Sequence, residues 1–120
     1  MDANKLSSKA LHQLVITALE DNKAIDIRSF DVTHLTDVTD SIVVCTSTSK
    51  RHALTLAEKV SVLAKQQGEQ ALSTEGDDDS AWILIDFVDV VVHIMLAETR
   101  EFYSIEKLWN MTETSRQQQN

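Results

Sequence analysis

Apolar residues recur along this chain with two different periods, and the changes between them mark out the elements. Leu11, Leu14, Val15, Ala18 and Leu19 fall at the three-then-one spacing of one buried helical stripe. They predict a helix from Lys9 to Asn22, capped by Ser7 or Ser8 and closed at Asp21-Asn22. Ile25 and Ile27, then Phe30 and Val32, alternate as a strand does, with a slip of phase after Arg28 that suggests a bulge or twist. Thr33 to Asp40 is polar and turn-rich. Ser41 to Thr46 reads as a strand whose centre, Ile42-Val43-Val44-Cys45, is apolar toward both sides, as in a sheet covered on two faces.

A helical stripe returns in Ala53, Leu56, Ala57, Val60, Leu63 and Ala64, predicting a helix from Lys50 to Gln67 stopped by Gly68. Ala71 to Thr74 is a candidate short strand. Trp82 to Phe87 and Val90 to Leu96 are two more, joined by the tight connection Phe87-Val88-Asp89. Phe102, Ile105, Leu108 and Trp109 make a last amphipathic helix from Glu98 to Trp109. Without proline, every strand can donate along its length. The last three strands lie too close in sequence for helical crossovers, so at least one pair should be antiparallel. The expected fold class is α/β: a single domain with a mixed β-sheet of about five strands flanked by helices. Residues 1–110 should form that domain and 111–120 a polar, disordered tail.

Charge changes this picture at one place. The chain has 19 acids and 11 bases. Between Gln66 and Thr99 there is no Lys or Arg, but there are eight acids: Glu69, Glu75, Asp77, Asp78, Asp79, Asp86, Asp89 and Glu98. The rest of the chain balances, so the whole net charge of −8 lies in this stretch, beside Trp82 and the branched apolar strands. A solubilising loop followed by ordinary core strands is the plain reading. The sharper one is a surface for a basic partner, steered by potential and gripped by an aromatic side chain. Trp82, Leu84 and Asp86 share one face of their strand, a mixture that fits an interface with an apolar anchor and an acidic rim.

Composition bounds the rest. At 120 residues, 42% of them hydrophobic, the chain is of single-domain size with enough apolar content for a core. The single cysteine, Cys45, has no partner for an internal disulfide, which fits a reducing compartment. No apolar stretch approaches a membrane span, and the first 27 residues hold no Arg, so a cytoplasmic, soluble protein is expected. The acid excess argues against a phosphate-backbone reader.

Catalytic signatures do not assemble. With only Gly68 and Gly76, glycine-rich phosphate loops are absent. His12, His34, His52 and His93 are scattered without ligand spacing, and His93, inside an apolar strand, reads as a hydrogen-bonded core histidine. Cys45 reads as a buried inert thiol. The run Thr46-Ser47-Thr48-Ser49 before Lys50-Arg51-His52 could hold an anion at a helix N-terminus, but a capping role for Thr48 or Ser49 accounts for it. No catalytic residue, metal ligand or cofactor is assigned.

The stretches Asp40-Ser41-Ile42-Val43-Val44-Cys45-Thr46, Thr48-Ser49-Lys50-Arg51-His52, Glu75-Gly76, Trp82-Ile83-Leu84-Ile85-Asp86, Asp89-Val90-Val91-Val92-His93-Ile94-Met95 and Tyr103-Ser104-Ile105-Glu106-Lys107-Leu108-Trp109 together resemble the ribosomal silencing factor, or Iojap, family in order and spacing. The resemblance covers roughly Leu6 to Trp109. Ser47 stands where a glycine is usual, and Phe87-Val88 replaces a common Leu-Gly before Asp89. The resemblance implies a homodimer with a nucleotidyltransferase-like fold that has lost catalysis. It implies binding to the large ribosomal subunit through ribosomal protein number fourteen (uL14), which blocks joining of the two subunits and represses translation in starvation. The contact surface it implies is Glu75, Trp82, Leu84 and Asp86, with Glu98 and Arg100 in addition. A role in large-subunit assembly and, further off, a metal-dependent nucleotidyltransferase remain as alternatives.

Overall fold

Residues 6–76 and 81–103 are described in the computed structural model of the chain. The elements run α1 (Ser8–Asp21), β1 (Ile25–Asp31), β2 (Ser41–Ser47), α2 (Lys50–Gln66), β3 (Ser73–Glu75), β4 (Trp82–Asp86), β5 (Val90–Leu96) and α3 (Ala97–Tyr103). The acidic loop Asp77 to Asp79, the second half of the last expected helix with Trp109, and the polar tail lie outside the described residues.

Both long helices begin and end by side-chain and backbone devices, three of them legible in the sequence. Ser7 Oγ accepts the Ala10 N–H at 3.1 Å, and Ser49 Oγ accepts the His52 N–H at 3.0 Å. Each cap satisfies an otherwise orphaned donor. α2 closes on Gly68, at φ 87°, whose N–H reaches the Lys65 carbonyl while the Glu69 N–H reaches that of Ala64. The same paired closure ends α1, but there the left-handed residue is Lys23, at φ 66°, just past Asn22. His52 joins the two helices. Its Nδ1 accepts the Thr48 N–H at 2.9 Å, so Nε2 carries the proton and donates to the Asn22 carbonyl at 2.9 Å.

The sheet order is β1-β2-β5-β4-β3. β2 and β5 are parallel at its centre, and the other neighbouring pairs are antiparallel. α1 and α2 cover one face: Leu11, Val15, Leu56 and Val60 pack against Val43, Cys45, Ile83, Ile85, Val92 and Ile94. The alternate residues of the same strands form a smaller cluster on the opposite face, where Phe30, Val32, Ile42, Val44 and Met95 are buried and Trp82 packs against them. Burial on both sides explains the unbroken apolar centre of β2.

The irregularity expected after Arg28 falls before it. Register with β2 slips between Ile25 and Arg28, and Asp26 takes a left-handed backbone with φ 51°. Aspartate tolerates that conformation better than branched residues do.

Candidate docking face

The face away from α1 and α2 is assembled by register. Trp82 lies opposite Met95, Leu84 opposite His93 and Asp86 opposite Val91 across β4 and β5. Glu75 lies opposite Leu84 and Ser73 opposite Asp86 across β3 and β4. Because side chains alternate along a strand, Trp82, Leu84, Asp86, Glu75, His93 and Val91 all project from one side. Trp82, Leu84, Asp86, Val91 and His93 are partly exposed there, and Glu75 is exposed.

Trp82 is neither sealed in the core nor loose. Its Nε1–H donates to His93 Nδ1 at 3.0 Å, and its ring lies 4.8 Å from that of Tyr103, tilted by 51°. Two contacts of different chemistry therefore fix the indole, leaving part of it accessible. An aromatic held in this way loses little conformational freedom on binding. His93 is a hydrogen-bonded histidine, as expected, but it belongs to this half-covered face rather than to the main core. Burial pushes its pKa down to about 4, so the ring is neutral at pH 7.

Asp86 has a second task. Its Oδ1 accepts the Val88 N–H at 2.7 Å, organising the turn between β4 and β5. Gly76, next to Glu75, allows β3 to end close against β4: a Cβ there would meet Ile83 Cγ1 at 3.2 Å. Glu98 is exposed at the start of α3, beside the exposed rings of Phe102 and Tyr103.

Arg100 stands apart from the other candidates. It is 7% exposed, and its Nη1 donates to the Asp26 carbonyl and to Thr46 Oγ1, both at 2.8 Å. Its Nη2 lies 3.6 Å from the Asp26 carboxylate. The left-handed turn at Asp26 presents the carbonyl to the guanidinium, and α3 is thereby fastened across β1 and β2. The sequence carried no sign of this arrangement, because 74 residues separate Arg100 from Asp26.

The remaining chemistry is sparse. Cys45 is fully buried, and desolvation pushes its thiol pKa up to about 12 against the opposing pull of Arg100. Ser47 Oγ is buried without a hydrogen-bond partner among the described residues. No three His, Cys, Asp or Glu side chains gather at metal-ligand distance among the described residues, and no described helix is long and apolar enough to cross a membrane.

Comparison with known proteins gives this face its context. The family model described as "Ribosomal silencing factor during starvation" matches residues 5–120. The chain belongs to the ribosomal silencing factor family. A relative from Chromobacterium violaceum named ribosomal silencing factor RsfS is 40% identical over 82% of this chain and 81% of its own. A mouse relative named mitochondrial assembly of ribosomal large subunit protein 1 is 30% identical over 91% of this chain but only 49% of its own. A crystal structure of a Chromobacterium violaceum protein superposes with a TM-score of 0.85 at 38% identity, covering 88% of each chain. The family thus accounts for nearly the whole chain, and its fold is the mixed five-stranded sheet described above.

Proposed function

We propose that this silencing factor binds the large ribosomal subunit through protein number fourteen (uL14) and, from that position, sterically blocks joining of the small subunit. One observation carries the reading: a half-buried indole held on a sheet face whose rim bears Glu75 and Asp86 and whose strands β3 to β5 contain no Lys or Arg. Ribosomal proteins are typically basic, so the rim's potential favours encounter while Trp82 and Leu84 supply apolar contact. Glu98 extends the acidic rim along α3, and Arg100 serves the face by holding α3 in place. The protein acts as a non-enzymatic repressor in the cytoplasm, as a homodimer and without a cofactor.

The test is subunit joining with purified subunits, followed by light scattering, with and without the protein on the large subunit. Joining should fall with the wild type, whereas Trp82→Ala, folded by circular dichroism, should bind the large subunit at least 30-fold more weakly, the effect of losing about 2–4 kcal/mol at an interface centre. Undiminished co-sedimentation of Trp82→Ala would refute the assigned face. The name of the mouse relative favours one second reading, a role in large-subunit assembly. That reading predicts preferential binding to incomplete large-subunit particles. Heat on adding nucleoside triphosphate and magnesium, removed by Asp86→Asn, would instead revive an enzymatic role.

A further inference from the structure

The imidazole of His93 occupies the middle of the docking face, on β5 between Val44 of β2 and Leu84 of β4. Its two nitrogens are not equivalent. The indole N–H of Trp82 can only donate, so the ring nitrogen facing it at 3.0 Å, Nδ1, must be an unprotonated acceptor. A neutral imidazole then carries its proton on Nε2. Nε2 has no hydrogen-bond partner among the described residues, and the side chain is partly exposed. The structure therefore presents one N–H donor of fixed tautomer on apolar ground made by Trp82, Leu84 and Val91.

Resting on the docking reading above, we infer that His93 is a specificity-determining contact whose Nε2–H donates to an uncharged acceptor, a backbone carbonyl or hydroxyl, on the basic protein partner. Docking removes water from the centre of the face, and a donor left without an acceptor there loses its hydration uncompensated. A partner that laid a cation or a purely apolar group over His93 would be disfavoured. A carboxylate acceptor would be repelled by Glu75 and Asp86 on the rim. The partner's chemistry is thus basic side chains around an exposed neutral acceptor. Trp82 acts twice, as apolar anchor and as the group that sets the histidine tautomer. Burial keeps the ring uncharged, so it does not oppose the positive potential of such a partner.

The test measures affinity of the full chain for purified large subunits with three variants. His93→Phe keeps the bulk but removes the donor, and should weaken binding about tenfold. His93→Gln can still accept from the indole and donate outward, and should stay within about threefold of wild type. Trp82→Ala should lose far more than either. Wild-type affinity for His93→Phe, with Trp82→Ala still defective, overturns this inference and spares the docking face. Wild-type affinity for Trp82→Ala removes both. Should His93→Phe fail to fold, nitrogen NMR of the wild-type imidazole decides: a proton on Nε2 is expected, and one on Nδ1 overturns the assignment.

Discussion

Val88 sits at φ 76°, a backbone region that costs an L residue about 1–2 kcal/mol and suits branched side chains least. The surrounding turn leaves it no alternative. The Phe87 N–H bonds the Val90 carbonyl at 2.9 Å, the Asp89 N–H bonds the Phe87 carbonyl at 2.9 Å, and Asp86 Oδ1 takes the Val88 N–H. Two-residue hairpin loops with positive φ at their first position favour glycine there, and the resemblance places a glycine at this site. Val88→Gly relieves the strain but adds about 0.5–1 kcal/mol of unfolded-chain freedom and gives up a side chain that is 48% exposed. Val88→Ala gives up that side chain without the relief. At an ordinary helix or strand position glycine is less stable than alanine by about 0.5–1 kcal/mol. At position 88 the order should reverse, with glycine the more stable by a similar amount. Urea unfolding followed by circular dichroism reads this directly. With a slope of about 1–3 kcal/mol per molar, the glycine midpoint should lie a few tenths of a molar above that of alanine. A glycine midpoint at or below that of alanine would refute the left-handed backbone at Val88.

Two further outcomes follow from buried polar groups. Ser47→Ala removes a hydroxyl that is buried without a partner among the described residues, and should raise stability by about 1 kcal/mol. A thermal midpoint lower than wild type would contradict that. His93, with its pKa depressed from 6.5 to about 4, stays neutral when folded but takes up a proton when unfolded as the pH falls below 6.5. Its contribution to stability is therefore complete above that value and lost as the pH drops toward 4, at a cost of about 2 kcal/mol between pH 7 and pH 5. His12, also depressed by burial, works in the same direction. His93→Phe should flatten the fall in stability over that interval without abolishing it, as measured by urea unfolding at each pH. An unchanged slope would show that the depression is absent.

What was legible in the sequence and what was not divides by range. Local signals placed the bounds of the elements within one or two residues, apart from the end of the last helix, which lies outside the described residues, because caps, stop residues and apolar periods act over three to four positions. Ser7, Ser49 and Gly68 do in the fold what their spacing implied. The short connections required at least one antiparallel pair among β3, β4 and β5, and both neighbouring pairs are antiparallel. The face of β4 bearing Trp82, Leu84 and Asp86 followed from alternation, though its neighbours on β3 and β5 depend on register, which alternation alone leaves open. Lys23 and Asp26, both left-handed, gave no signal, since neither residue type demands that conformation. The Arg100 latch was also hidden. A cation in a short acid-rich helix reads as surface, and only the fold brings it to a carbonyl on the edge strand.

The same geometry limits how the docking face can be dissected. Asp86 lines the proposed rim and also accepts the Val88 N–H, so a neutral substitution there alters the turn and the potential together. Glu75 makes no such second bond among the described residues, and its exposure makes charge its main contribution. A change of sign at Glu75 therefore isolates steering, felt chiefly as a slower association that added salt makes less different from wild type. Trp82, tied to both His93 and Tyr103, couples β4 to α3, which Arg100 at its middle fastens to β1 and β2. Loss of the latch would thus be felt at the indole without touching it. The face behaves as one braced unit in which Glu75 can be altered alone, whereas Asp86 and the aromatic centre cannot.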